Sequence, residues 1–80
     1  MRLPRDVSGT DSAKRLKLFG YNVTRQTGSH LRLTTTEKGE HHITIPKHSP
    51  LRIGTLSAVL ADVAEHLGTT RVELANKLFG

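Results

Sequence analysis

Three times between residues 21 and 46 the chain alternates apolar and polar side chains, and turn residues or a proline close each run. A strand turns successive side chains to opposite faces, so each run reads as a strand with one buried face. Val23 marks the first, about residues 21–26. Leu31 and Leu33 mark the second, about 29–35, and Ile43 and Ile45 the third, about 41–45. Thr27-Gly28 carries hairpin chemistry, Gly28 supplying a turn with positive φ. Glu37-Lys38-Gly39-Glu40 is the second turn, and Pro46 ends the ladder because it has no amide to donate. The result is a three-stranded antiparallel meander with one packed face and one open face.

The packed face needs a cover, and the flanking segments supply it. Ser8 with Asp11 forms a capping-box pattern. Ala13, Leu16 and Phe19 follow at helical spacing up to Gly20, which predicts a helix over about 9–19 with Lys14, Arg15 and Lys17 on a solvated face. Leu56, Val59, Leu60, Val63 and Leu67 step by three and four along one stripe that Gly68 ends. Thr70 with Glu73 repeats the capping pattern before a short last helix, with Leu74, Leu78 and Phe79 inward. The predicted fold is α+β, a single domain over residues 1–80 in the order α-β-β-β-α(-α), with helices on one face of the sheet.

Eighty residues bury a limited share of their surface, so such a domain has little stability to spare. Cysteine is absent, which excludes disulfides and thiolate metal sites and suits a reducing cytoplasm. Residues 1–6 contain no apolar core of a signal peptide, and no apolar run has membrane-spanning length. The net charge of +5 is unevenly placed. Residues 1–52 carry 10 Lys/Arg against 4 Asp/Glu, and residues 53–80 carry 2 against 3. An anionic partner is therefore expected on the first two-thirds of the chain, and nucleic acid is the usual one.

Alternation puts His30, Arg32, His42 and Thr44 on the open face, with Thr24 and Gln26 from the first strand. It puts Arg25 on the face of Val23. His48 follows in the loop after the third strand. These histidines make a poor metal site. Adjacent His41 and His42 point to opposite faces, no carboxylate sits at ligand spacing beside His30, and no H-x-x-x-H occurs on a helix. Ser29 and His30 face away from each other, so they form no nucleophile–base couple. General acid–base chemistry on RNA remains, because the ribose 2′-hydroxyl supplies the nucleophile and the protein need supply only a proton shuttle and cations. From spacing alone, a surface imidazole that merely hydrogen-bonds or stacks is the simpler reading.

A family resemblance shifts that balance. Leu3-Pro4, Gly20-Tyr21, Arg25-Gln26, Gly28-Ser29-His30, His42-Ile43-Thr44-Ile45-Pro46, His48 and Gly54-Thr55-Leu56 stand in the order and spacing of the HicA (YcfA-like) toxins. The resemblance covers about residues 3–60 and weakens after Leu60, where the segment up to Gly68 runs about one helical turn longer. It implies a fold like that of double-stranded RNA-binding domains. It also implies a ribosome-independent mRNA interferase of a type II toxin–antitoxin system, partnered by a HicB-like antitoxin that blocks the active site. The histidine of its Gly-Ser-His motif is the catalytic one, so His30 inherits that role.

The roles expected are His30 as proton shuttle and Arg32 on the scissile phosphate, with Arg25 and Lys47 extending the phosphate track. Ser29, His42 and His48 are secondary candidates, and His41 and His66 read as plain surface residues. No metal, cofactor or membrane is expected to take part. Two other functions fit the residues. One is an RNA-binding or partner-binding module without catalysis. The other is a helix-turn-helix DNA-binding unit in residues 60–79, with Ala64, Gly68 and Leu74 at its small, turn and buried positions. The net negative charge of that segment argues against DNA.

Overall fold

The computed structural model describes residues 3–80. The Ser8 hydroxyl accepts the Asp11 amide at 2.9 Å and starts α1 (Gly9–Arg15). The predicted helix over 9–19 changes character partway. From Leu16 to Phe19 it tightens into a 3-10 turn that ends at Gly20, whose φ of 81° is left-handed. Tightening of this kind gives the last carbonyls partners, and the Gly20 amide donates to Lys17 O at 3.0 Å.

The three strands are β1 (Asn22–Thr27), β2 (His30–Thr35) and β3 (His41–Pro46), antiparallel in the order β1-β2-β3. The β2–β3 register is regular, with Leu31 opposite Ile45, Leu33 opposite Ile43 and His30 opposite Pro46. The four aliphatic residues of that ladder are buried. α2 (Ile53–Leu67) buries the predicted stripe of Leu56, Val59, Leu60, Val63 and Leu67 and packs on β3. α3 (Arg71–Phe79) turns Leu74, Ala75 and Leu78 inward. The Arg15 guanidinium pins α3 to α1: it donates to Leu78 O at 2.8 Å and lies 5.2 Å from the centre of the Phe79 ring. The architecture is the predicted α+β order with both helical layers on one face.

Strand β1 departs from strict alternation. Val23 pairs with Leu33, but the next pair is Arg25 with Arg32, so Thr24 is an extra residue in a β-bulge. A bulge sets two residues against one and reverses the facing of everything beyond it. Arg25 therefore moves to the open face, beside Arg32, and Gln26 moves to the helix side opposite Leu31. Both placements correct those that alternation gives. Thr24 stays on the open face, where its hydroxyl meets that of Thr34 at 2.9 Å. The helices lie over β2 and β3 rather than β1, so Val23 faces the helix side yet remains 45% exposed.

His41 and His66 also differ from their sequence reading, and Tyr21 is part of the reason. Tyr21 is fully buried. Its hydroxyl meets His41 Nδ1 at 2.7 Å, and His41 Nε2 meets Asp62 Oδ1 at 3.2 Å. The His41 ring stacks on that of His66 at 4.4 Å. His66 Nε2 lies 2.9 Å from Glu37 O and 3.1 Å from Gly39 O, and carbonyls only accept, so this nitrogen carries the proton. Far from being plain surface residues, the two histidines staple the β2–β3 turn to α2. Their signal was present in the sequence: His41 shares its strand face with Ile43 and Ile45, and Asp62 and His66 stand one helical turn apart.

Burial, reinforced by the negative charge of Asp62, pushes the Tyr21 phenol up from 10.0 to about 12. The fold thus favours the neutral phenol. Its contribution is complete below the ordinary value of 10.0 and is lost as pH rises through about 12. Alkaline unfolding of the wild type should therefore steepen in this window, and Tyr21→Phe should flatten it. Tyr21 is the only tyrosine and tryptophan is absent, so phenolate absorbance reports this group alone. A phenol that ionises at its ordinary value in the folded protein would refute the account.

Gly54, in the first turn of α2, has open space where a Cβ would stand. Gly54→Ala should stabilise the domain by about 0.4–1 kcal/mol, because alanine loses less backbone freedom on folding. A lowered unfolding midpoint would mean that the open space is needed.

Candidate functional site

The bulge and the first hairpin together build one shallow pocket. Gly28, with φ 54°, makes the turn, and His30 begins β2 directly after it. The hairpin pairs Thr27 with His30 and Arg25 with Arg32, and β3 sets Thr44 opposite Arg32. These five side chains line a cavity of about 210 Å³ on the open face. That is smaller than the roughly 300–1,000 Å³ that encloses a drug-sized ligand. It suits a polymer that lays one backbone group into the pocket and leaves the rest on the open sheet.

The electrostatics are those of an anion site. Arg25 and Arg32 are cross-strand neighbours, and like charges so placed destabilise a sheet by a few tenths of a kcal/mol or more. Neither guanidinium has a carboxylate partner among the described residues, where the ion pairs are Arg15–Asp11, His41–Asp62 and His42–Glu40. Two unpaired guanidiniums beside one imidazole can hold a phosphodiester by two faces and leave the ring free to move a proton.

The histidines divide by what holds them. His41, His42 and His66 are tied by hydrogen bonds through their rings, whereas His30 and His48 have none among the described residues. His42 is on the open face as expected. Its ring is fixed between the Thr34 hydroxyl at 2.7 Å and Glu40 Oε2 at 2.8 Å. It pairs with Thr34, four residues along from His30, which puts it about 13 Å away at strand rise. His48 is exposed and lies outside the pocket; its carbonyl accepts the Gly9 amide at 2.9 Å.

Two other sequence candidates lie elsewhere. Ser29 is a turn residue whose carbonyl accepts the Lys47 amide at 2.7 Å, so it clamps the hairpin to the exit of β3. Lys47 does not reach the His30 pocket. It lines a groove on the helix side with Lys14 and Lys17. Alternation predicts that side for it, since Pro46 pairs with His30 on the open face. Thr27 and Thr44, which line the pocket, carried no signal beyond their position. Among the described residues no three His, Asp or Glu side chains converge as a metal-binding group, and no helix is long and apolar enough to cross a membrane.

The result is a small α+β domain that exposes basic groups on an open sheet face, with its helices behind. A sequence model described as HicA toxin of bacterial toxin–antitoxin matches residues 9–64, from the start of α1 to most of the way along α2. The chain belongs to the HicA toxin family. Membership makes it a toxin of a toxin–antitoxin system and implies an antitoxin partner. Neither the curated proteins nor the solved structures contain a significant match. α3 lies wholly beyond the matched segment.

Proposed function

We propose that this toxin is a cytoplasmic, metal-independent mRNA interferase, with His30 as its proton-transferring group. One observation carries the reading: an exposed imidazole without a hydrogen bond among the described residues shares a pocket with two guanidiniums that have no acidic partner among them. Arg25 and Arg32 bind the scissile phosphate. His30 takes the proton of the adjacent ribose 2′-hydroxyl, whose oxygen attacks phosphorus. The bond to the 5′-oxygen breaks, that oxygen takes a proton from water, the imidazolium returns its proton to the hydroxide so formed, and a 2′,3′-cyclic phosphate remains. The guanidiniums neutralise charge as it grows on the phosphoryl oxygens. The proposed partner is a HicB-like antitoxin that covers this face.

The test is digestion of a single-stranded RNA with chelator in excess, beside the same strand carrying one 2′-deoxynucleotide at the cut position. The RNA should be cut to cyclic-phosphate ends and the substituted strand should survive at that position. Cleavage of the substituted strand would exclude the ribose as nucleophile. RNA bound but never cut would leave a binding module. The DNA-binding alternative has weaker footing in α3, because Arg71 is bonded to Ser57 Oγ at 2.8 Å and the exposed Lys77 is offset by Glu73.

Arg32→Gln separates stability from function. Removing one of two opposed guanidiniums should raise stability by a few tenths of a kcal/mol. It should also reduce the slope of log affinity for single-stranded RNA against log salt by about 0.7, the value of one phosphate contact. An unchanged slope would take Arg32 off the phosphate.

A further inference from the structure

The helix side of β1 carries a groove of about 320 Å³ that the His30 pocket does not use. Ala13, Val23 and Leu31 form its apolar floor, and Lys14, Lys17 and Lys47 its rim. None of the three ammonium groups is in an ion pair among the described residues. The groove borders a free sheet edge. Among the described residues β1 pairs only with β2, and all six of its residues are exposed. Its outward amides and carbonyls therefore form a ready template for another strand.

We propose that this groove binds an extended acidic segment of a protein partner. The segment adds to β1 as a fourth strand. An apolar side chain packs on Val23, and its carboxylates meet Lys14, Lys17 and Lys47. In this mode main-chain hydrogen bonds supply affinity and alternate side chains supply selectivity. The chemistry of the groove chooses among occupants. A nucleic acid strand is held by aromatic platforms for its bases, and the floor here is aliphatic. A second copy of this chain would bring its own lysines against these, which like-charge repulsion opposes. The bulge at Thr24-Arg25 also interrupts the ladder spacing, so indiscriminate edge-to-edge pairing is discouraged. A carboxylate-bearing strand needs no aromatic platform and brings no like charge, and its ion pairs to the lysines offset the ladder spacing lost at the bulge.

The groove lies across the sheet from His30, so an occupant there leaves the imidazole uncovered. The inference does not depend on RNA cleavage, and its test is read without it. The full chain is titrated with a blocked peptide of alternating valine and glutamate, about seven residues long to match a typical strand, and followed by amide NMR. Shift changes should concentrate in residues 22–27 and α1. The double variant Lys14→Glu/Lys17→Glu should raise Kd by about tenfold or more, and salt should weaken the wild-type interaction. A peptide with lysine in place of glutamate should not bind. Val23→Asp, a second and independent variant, should also weaken binding.

No binding of the acidic peptide, or shifts centred on His30 and Arg32 instead, would overturn the proposal. So would occupation of the groove by a single-stranded RNA, or self-association that the double variant abolishes. RNA cleavage by the double variant is measured in parallel. Peptide binding lost with cleavage intact separates the groove from the His30 pocket.

Discussion

His30→Ala should lower RNA cleavage by about 10²–10⁴-fold, the range that one positioned proton transfer contributes, and leave the fold intact. The ring is exposed and makes no hydrogen bond among the described residues, so its removal opens no cavity and orphans no donor. Its backbone pairing with Thr27 and Pro46 does not involve the side chain. The thermal midpoint should therefore stay close to that of the wild type. His42→Ala and His48→Ala act as comparators: one ring is fixed by Thr34 and Glu40, and the other lies outside the pocket. Either should retain most of the activity. Cleavage by folded His30→Ala at the wild-type rate would remove His30 from the chemistry, and collapse of His48→Ala alone would move the proton transfer to the loop after β3.

The same residues show how much of this site the sequence could reveal. The second and third strands were legible because Leu31, Leu33, Ile43 and Ile45 fix their phase and pair directly across the sheet. The long helix was legible because a five-residue apolar stripe leaves one orientation. The first strand was legible in place but not in phase, because Thr24, Arg25, Gln26 and Thr27 are all polar. A one-residue insertion there leaves the pattern unchanged, yet it decides which side Arg25 takes. The pocket therefore depends on a bulge that period-two reasoning cannot detect. Alternation gives Tyr21 the facing of Val23, yet the first is fully buried and the second 45% exposed, a difference that the pattern does not carry. His30 needed both routes: the turn at Gly28 placed it, and the Gly-Ser-His resemblance gave it a role.

Gly9→Ala should be among the most destabilising single-methyl additions available to this chain. Gly9 is the first residue of α1, and its amide donates to His48 O at 2.9 Å. A Cβ there would fall on the Pro46 carbonyl oxygen, 2.9 Å from its carbonyl carbon and 3.2 Å from Lys47 Cα. All three atoms are backbone, so no rotamer change makes room. α1 must retreat from the end of β3, or β3 must yield. Overpacking of this kind typically costs about 1–3 kcal/mol, and loss of the Gly9–His48 bond adds about 1 kcal/mol. In a domain this short each kcal/mol moves the midpoint by roughly 4–8 °C, so a fall of about 10–30 °C is expected. Pro46 is also the partner of His30, so whatever displaces it disturbs the pocket. Cleavage measured well below the midpoint should thus fall too, which separates this variant from a merely destabilised one. A midpoint equal to that of the wild type would show that α1 stands further from β3 than the contact at Pro46 requires. The positioning of His30 would then not depend on that helix.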